Sequence, residues 1–469
     1  LNYMPNSLQP SAQSSDDLVS AIRPIYEPLF AETKDGLEYY LADKLDISED
    51  GLTYTLHIND KATWSDGEPV TVKDITFTKV NGGEVQINEI DDKTMEFVLP
   101  SVYDNYVRTL SQFYPMPAHA FDNDPSKIND STYFKTPGMA TSGAYVVSEI
   151  NEDSFVYTAR DDYYRGTPSV KKVVIKTIGS GSTKQIEFEN GGIDYMRVTS
   201  AEDLKKYKEE SDKYNMYSIS EARLNYLQLN PHGPVMSTLS QDARKAIFLA
   251  LDKDAIVDFA WGSNELAEPA NSLITPDQSI YNKDCKGYNF NLEEAKKLAK
   301  SSGLEGKELT YIYNSDRANM EAVATVVQQQ LAEIGVTVNI ESCDTSTFFP
   351  RFFASKDKEL ATTWDLGTNG WDSQRGSNCG QAISYFTNRL CDCGYSDEVS
   401  GLAQKAIGTA DAKEKQELWN TIQDKALEEC WEYPLTYTNF VMVSQKNVTG
   451  LDGSSVVPEF IDYLSIHVD

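Results

Sequence analysis

The 469-residue sequence contains no run of about 18 apolar residues, which argues against a helix that crosses a membrane. Positive charge is also scarce: 42 Lys and Arg against 72 Asp and Glu give a formal net charge of −30. Nucleic acids and anionic membrane surfaces bind proteins through clustered Lys and Arg. The composition therefore argues against both as partners and favours a soluble monomer.

Motifs of well-known enzyme classes are missing as well. The sequence has no G-x-S-x-G, no H-E-x-x-H, no P-loop and no G-x-G-x-x-G after a strand. A pair of opposed carboxylates, as in glycosidases, leaves no short motif. A secreted hydrolase with such a pair therefore stays open as an alternative to a protein without catalysis.

Ligands for a bound metal are few and poorly spaced. The six cysteines are Cys285, Cys343, Cys379, Cys391, Cys393 and Cys430. The closest group among them has the spacing C-x₁₁-C-x-C instead of paired zinc knuckles, and the four histidines are scattered: His57, His119, His232 and His467. We expect a structural disulfide or buried thiols, and neither a metal nor another cofactor.

The stretch "KATWSDGEPVTVKD" (61–74) places a tryptophan beside two carboxylates and a glycine. Asp66 and Gly67 have the composition of a tight turn, and Thr71 can cap a helix that carries an acid at Asp74. Two carboxylates on one turn, Asp66 and Glu68, do not straddle a substrate as a catalytic pair must. We interpret the stretch as a structural frame and not as an active site.

Two kinds of sequence pattern follow one another along the chain. Between about residues 50 and 178 apolar residues recur with period two, as in "GLTYTLHIND", where Tyr54, Leu56 and Ile58 share one face. This alternation predicts strands with one exposed face. From about residue 240 helical spacing dominates, with Ser240 and Asn291 as N-caps and Gly303 as a C-terminal stop.

Two further elements indicate a mixed sheet. "ANMEAVATVVQQQLAEIG" predicts a helix that ends at Gly335, and "VTVNIES" follows at once as a strand. A helix directly followed by a strand is typical of a parallel or mixed sheet. "DAKEKQELWNTIQDKALEE" predicts a last long helix. The sequence from Tyr433 onward again has the pattern of strands.

Five blocks of the sequence, taken in order, resemble one known family. They are "DGLTYTLHINDKATWSDGEPVTVKDITFT", "TSGAYVVSEINEDSFVYTARDDYYRGTPSVKKVVIKTI", "FENGGIDYMRV", "DARKAIFLALDKDAIV" and "WDLGTNGW". Together they resemble the extracellular solute-binding proteins, family 5, which serve ABC importers of oligopeptides, dipeptides and nickel. The blocks span nearly the whole chain, and their common order makes the resemblance specific.

The resemblance implies an α/β fold of the periplasmic-binding-protein type (type II) with two lobes, an extra β-rich subdomain and a ligand cleft between the lobes. Lobe I would comprise residues 1–42, 160–232 and 438–469, the β-rich subdomain residues 43–159, and lobe II residues 233–437. The implied function is capture of a peptide by hinge closure and its delivery to the permease subunits of an ABC transporter, without catalysis. The implied location is extracellular or periplasmic, with or without a lipid anchor; no leader precedes Leu1, so we expect a mature or trimmed chain.

The resemblance also implies residues that line the ligand site, drawn from "IRPIYEPLF", from "LNYLQLN" and from the strand that ends in Trp371. They are Tyr26, Glu27, Leu29, Asn225, Tyr226, Gln228, Thr368, Asn369, Gly370, Trp371, Asp372, Gln374 and Arg375. The backbone of Thr368–Gly370 is expected to pair with an extended ligand. Core packing is the alternative role for Trp371, and a solvated loop is the alternative for Asp372 and Arg375.

The sequence departs from the family pattern at the ligand. Oligopeptide-binding members place an Asp three residues after the tryptophan, where it holds the α-ammonium of the peptide, whereas this chain has Gln374. A neutral amide is a poor partner for a buried ammonium. Asp372 could replace the missing carboxylate, or the ligand lacks a free amine and Arg375 binds an anionic group. Peptide is therefore the leading ligand, and an oligosaccharide, a conjugated amino acid or a metal chelate is the alternative.

Overall fold

A computed structural model describes residues 1, 3–11, 16–33, 36–78, 84–103, 106–111, 113–128, 131–179, 181–354, 359–372, 384–388, 392–451 and 462–469. The chain forms two compact units. Unit 1 comprises Leu1–Val198, Lys205–Ile219 and Val441–Asp469, and unit 2 comprises Thr199–Leu204 and Ser220–Phe440. Both units are thus discontinuous in sequence; the finer division into three parts stays a prediction.

The helices are α1 Asp16–Ile22, α2 Val72–Thr78, α3 Tyr106–Ser111, α4 Gly181–Glu189, α5 Ala201–Glu209, α6 Gln241–Ala250, α7 Lys253–Ala260, α8 Leu292–Ser302, α9 Met320–Ala332, α10 Thr345–Phe352, α11 Asp397–Ile407 and α12 Ala412–Glu429. None of the helices in the described part of the chain combines the length and the apolar character needed to span a bilayer.

The strands are β1 Phe30–Thr33, β2 Gly36–Tyr39, β3 Ala42–Ile47, β4 Thr53–Ile58, β5 Gln86–Glu89, β6 Thr94–Val98, β7 Tyr145–Ile150, β8 Ser154–Ala159, β9 Lys172–Lys176, β10 Tyr195–Val198, β11 Tyr214–Leu229, β12 Ala267–Pro269, β13 Glu308–Asn314, β14 Thr337–Cys343, β15 Leu366–Asp372, β16 Glu432–Gln445, β17 Val448–Thr449 and β18 His467–Val468.

Unit 1 contains the strands predicted from period-two alternation. β4 alternates between half-buried and buried residues, with Tyr54, Leu56 and Ile58 inside, as predicted. It lies in an antiparallel sheet of order β3-β4-β6-β5, and β7, β8 and β9 form a second antiparallel sheet. Such one-sided burial is the usual reason that an antiparallel sheet shows alternating sequence.

Unit 2 is built on a mixed sheet of described order β12-β16-β11-β15-β13-β14. β13 and β14 are parallel, and α9 connects them, which confirms the predicted helix–strand unit. The side chains of Ser240 and Asn291 cap α6 and α8 as predicted, and Gly303 ends α8 at a φ of 74°. A left-handed residue at this position favours glycine, which lacks the Cβ that would clash.

Two long strands belong to both units. β11 continues from unit 1 into unit 2 between Ile219 and Ser220, and β16 continues from unit 2 into unit 1 between Phe440 and Val441. In unit 1, β16 pairs with β10, and in unit 2 it lies between β12 and β11. The sequence indicated strand-like text from Tyr433 onward, but not that this strand would run through a unit boundary.

Candidate functional site

The predicted site residues of unit 2 that the structure describes lie on two neighbouring strands, β11 and β15. β11 and β15 pair in antiparallel register, with Asn225 opposite Gly370 and Tyr226 opposite Asn369. Residues that face each other in such a ladder project their side chains from the same face of the sheet. The structure thus brings together residues that are about 140 positions apart in the sequence, but contact with a ligand stays a prediction.

One face of this strand pair is aromatic and buried. Trp371 is 2% exposed, and its ring stacks on Tyr385 with a centroid distance of 6.2 Å. The Tyr226 hydroxyl lies 2.6 Å from the Tyr385 hydroxyl. Among the described residues, Trp371 Nε1 and Asn369 Oδ1 have no hydrogen-bond partner although both are buried. Trp371 is thus buried, and its Nε1 is a donor that the described part of the chain does not use; its role toward a ligand stays a prediction.

The other face of the pair is polar. Asn225, which is 2% exposed, donates from Nδ2 to Thr436 Oγ1 at 3.1 Å, and its Oδ1 accepts from Arg223 Nε at 3.3 Å. A Cβ on Gly370 would lie 2.5 Å from Asn225 Oδ1 and would clash with the Arg223 guanidinium. Arg223 was not among the predicted site residues, although it lies only two residues before Asn225.

Thr368 and Gln228 are held by hydrogen bonds within unit 2. The hydroxyls of Thr368 and Tyr311 form a hydrogen bond. Gln228 Nε2 donates to Leu229 O at 3.0 Å, whereas Gln228 Oε1 is buried without a donor among the described residues. Both residues are at least nine-tenths buried, so their hydrogen bonds stabilise the interior of unit 2 around the strand pair.

A buried carboxyl group lies next in the chain to a partner of Gln228. Trp431 O accepts from the Leu229 N–H at 2.8 Å and from Gln228 Nε2 at 3.4 Å, and Glu432 follows Trp431. Glu432 is 1% exposed and accepts from the Tyr395 hydroxyl at 2.6 Å. Burial raises the pKa of Glu432 to about 8, because the low-dielectric surroundings disfavour its ionised form.

The predicted site residues of unit 1 lie in its interior. Tyr26 and Leu29 are fully buried, and the Tyr26 hydroxyl donates to Ala140 O at 3.2 Å. Glu27 is 7% exposed and accepts from the Tyr164 hydroxyl at 2.7 Å and from Arg165 Nη1 at 3.2 Å. These contacts anchor the segment within unit 1, and a role of the three residues toward a ligand stays a prediction.

Three predicted residues follow Trp371. Asp372 ends β15 and lies opposite Arg223 in the strand register. Gln374 and Arg375 lie outside the described residues.

The "KATWSDGEPVTVKD" stretch is a frame, as its turn and cap residues predicted. Gly67 has a φ of 94°, and α2 begins at Val72. Asp74 accepts from the Thr71 N–H at 2.8 Å and from the Ala118 N–H at 2.9 Å, and it also accepts from Trp64 Nε1 at 3.3 Å. One buried carboxylate thus joins the turn, the helix and a following segment.

The two acids of the alternative catalytic interpretation are exposed on the turn. Asp66 pairs with His119 Nε2 at 2.9 Å on the surface, and Glu68 has its backbone N–H bonded to Asp66 Oδ1 at 3.3 Å. Arg160 fixes the backbone of this stretch by donating to Thr63 O at 3.1 Å and to Trp64 O at 3.2 Å. These contacts stabilise the turn, and Asp66 and Glu68 do not form a pair of opposed carboxylates.

The structure describes four buried cysteines; Cys285, Cys343 and Cys430 are free thiols, and Cys393 is buried as well. Cys379 and Cys391 lie outside the described residues, so the predicted cluster is only partly placed. Burial raises the pKa of Cys430 to about 11, which keeps this thiol protonated at neutral pH. Within the part of the chain that the structure describes, no group of three or more His, Cys, Asp or Glu residues is arranged to hold a metal ion.

The fold and the strand pair define a class of solute-binding protein. The family model of bacterial extracellular solute-binding proteins, family 5, matches residues 36–389, and the chain belongs to this family. The resemblance stated from the sequence blocks is thereby confirmed, together with the α/β fold of the two-lobed periplasmic binding proteins.

Individual relatives agree with this assignment. The chain is 21% identical to the probable D,D-dipeptide-binding periplasmic protein DdpA of Escherichia coli, covering 95% of this chain and 89% of the relative. The solved substrate-binding protein CtaP of Listeria monocytogenes superposes with a TM-score of 0.88 at 27% identity, over 100% of this chain and 98% of that one. A putative peptide-binding protein AppA from Clostridium difficile gives a TM-score of 0.88 at 25% identity, over 100% and 99% of the two chains.

Proposed function

We propose that this family member captures peptides for an ABC importer, and that an extended ligand adds to the edge of β15. The observation that carries the proposal is an open edge. β15 pairs with β11 from Leu366 to Asp372, but it pairs with β13 only from Leu366 to Thr368. Among the described strands, the backbone from Asn369 onward thus has a neighbour on one side only, which suits strand addition by a peptide.

Gly370 lies within this open stretch and is half-buried. The space where its Cβ would stand is taken by Arg223 and Asn225, so a ligand backbone would approach along the strand edge. The φ of Gly370 lies outside the left-handed range, so the local backbone does not itself require glycine. The names of two relatives, a D,D-dipeptide-binding protein and a putative peptide-binding protein, support the same ligand class.

Capture would proceed by hinge closure. A ligand that contacts both units only in the closed form shifts the population toward that form. Moving a two-state equilibrium from 1:99 to 99:1 requires about 5.5 kcal/mol of differential binding free energy. The loaded protein would then dock on the permease subunits of the importer as a monomer, unaltered chemically, at the outer face of the membrane with or without a lipid anchor.

A thermal-shift panel tests the ligand class. The panel holds tri- to pentapeptides, the same peptides with acetylated amino ends, oligosaccharides and chelated nickel. A ligand at 100 times its dissociation constant adds about 2.7 kcal/mol to the free energy of unfolding, which raises the melting temperature measurably. We expect stabilisation by peptides and a smaller effect when the central peptide nitrogen is methylated, because methylation removes a donor of the added strand.

The remaining outcomes separate the alternatives. A preference for acetylated peptides would support the argument that Gln374 does not hold a free ammonium, and equal shifts by both forms would refute it. Stabilisation by sugars or chelates alone would contradict peptide capture. Turnover of a bound compound, followed by mass spectrometry, would favour the hydrolase alternative over a pure binding protein.

A further inference from the structure

Arg223 follows a strained residue inside a regular strand. Ala222, directly before it in β11, has a φ of 49°, and its N–H donates to Ser220 Oγ at 3.1 Å. A left-handed conformation costs a residue with a Cβ roughly 1–2 kcal/mol. Such strain persists where the surrounding structure enforces it, and it clusters at ligand sites.

The Arg223 guanidinium lies across Gly370. Asn225 Oδ1 accepts from Arg223 Nε at 3.3 Å, and Asn225 is itself fixed through Thr436. A side chain on Gly370 would collide with the guanidinium. The position of the Arg223 guanidinium therefore requires glycine at residue 370, within the open backbone stretch of β15.

Two acidic residues within or beside residues 220–223 accept hydrogen bonds from hydroxyl groups. Glu221 lies two residues earlier in β11 and accepts from Thr438 Oγ1 at 2.7 Å, while Asp277 accepts from Ser220 Oγ at 2.7 Å. Asp372 lies opposite Arg223 in the register. A planar guanidinium binds a carboxylate through two parallel hydrogen bonds, and Arg223 brings one to the open stretch of β15 beside Gly370.

We infer that Arg223 sets ligand specificity by binding a carboxylate of the ligand beside Gly370. The inference rests on the proposed function and adds the charged group that the site selects. Arg223 is half-buried, so a bound carboxylate would be partly screened from water and its contribution would exceed that of a surface pair. Loss of a charge-assisted hydrogen bond of this kind reduces affinity about ten- to a hundredfold.

Isothermal titration with matched probes tests this role. The pairs are trialanine and its C-terminal amide, Ala-Glu-Ala and Ala-Gln-Ala, and glucuronic acid and glucose. The native protein is expected to bind the acid of at least one pair about tenfold or more tightly than its neutral partner. Arg223→Met should abolish this ratio, Arg223→Lys should retain part of it, and Gly370→Ala should reduce it by displacing the guanidinium.

Arg317→Met is the matched control. It removes one positive charge from the same unit, where Arg317 lies over the Phe349 ring at 5.9 Å, and it should leave the acid-to-neutral ratio unchanged. Melting curves of each variant without ligand show whether it folds. The lysine variant keeps the test decisive if the methionine variant does not fold.

The outcomes separate this inference from peptide capture. Peptides that bind equally as acid and neutral forms support capture but overturn the role of Arg223. Selective binding of glucuronic acid alone supports Arg223 and contradicts peptide as the ligand class. Failure of every carboxylate probe to bind, an unchanged ratio in Arg223→Met, or tighter binding of amidated peptides by that variant overturns the inference.

Discussion

The Glu432 carboxyl group ties stability to pH. It keeps its proton in the folded protein up to about pH 8, whereas its ordinary pKa is 4.5. Unfolding therefore releases a proton between these two values, and the free energy of unfolding falls as pH rises through this window. We expect Glu432→Gln, which stays neutral and still accepts from Tyr395, to flatten this fall by an amount on the order of a few kcal/mol.

Urea unfolding at half-unit steps from pH 4.5 to 8.5 measures the effect of Glu432. Glu308→Gln is the control, because Glu308 is an exposed carboxylate of the same unit, and it should leave the slope unchanged. If the native protein and Glu432→Gln lose stability in parallel between pH 5 and 8, the buried carboxyl does not retain its proton.

Single residues also mark the limit of the sequence-based predictions. Asn225, Tyr226 and Gly370 were predicted at the site and do lie on paired strands. Arg223 was missed, because nothing in the letters "EARLNY" reveals that Ala222 adopts a positive φ. Only the folded chain shows this conformation and the position of the guanidinium over Gly370.

At the scale of elements, Asp74 links α2 to its surroundings. Its replacement by alanine leaves the N–H groups of Thr71 and Ala118 without their acceptor. Burial raises the pKa of Asp74, so part of the loss is offset by removing a poorly solvated charge. We expect Asp74→Ala to lower the free energy of unfolding by about 2 kcal/mol without changing ligand affinity.

Denaturant unfolding and ligand titration of the same samples check the Asp74 prediction. Asp66→Asn is the matched variant, since it removes an exposed carboxylate from the same stretch and should alter stability by less than about 1 kcal/mol. Abolished binding with unchanged stability in either variant would contradict the interpretation of "KATWSDGEPVTVKD" as a frame.

Elements with a local cause were predictable from sequence. The N-caps Ser240 and Asn291, the stop at Gly303 and the alternation of β4 depend on neighbours within a few residues, and all are confirmed. The length of β11 and the register of β15 depend on pairing between distant segments. Alternation of apolar and polar residues predicts which face of a strand is buried, but it does not predict where a partner strand ends. The open edge of β15 arises because its pairing with β13 ends at Thr368.

At the scale of the whole molecule, the chain leaves unit 1, forms most of unit 2 and then returns to complete unit 1. Unit 2 is entered at Ser220 along β11 and left at Phe440 along β16. The Pro-rich stretches of the sequence near residues 229–235 and 433–439 would by themselves predict crossings there, away from the boundaries at 219–220 and 440–441. The displacement arises because β11 and β16 continue through their crossings as regular strands, and a strand interior carries no turn signal.

The proposed hinge closure can be followed by small-angle X-ray scattering. We expect a saturating peptide to reduce the radius of gyration of the native protein, because the ligand stabilises the form in which both units contact it. At a concentration of a carboxylate-bearing ligand near the native dissociation constant, Arg223→Met should scatter closer to the free protein than the native protein does, since it binds the ligand about ten- to a hundredfold more weakly. A peptide that binds tightly by titration and leaves the scattering of the native protein unchanged would mean that capture takes place on one unit alone, without closure.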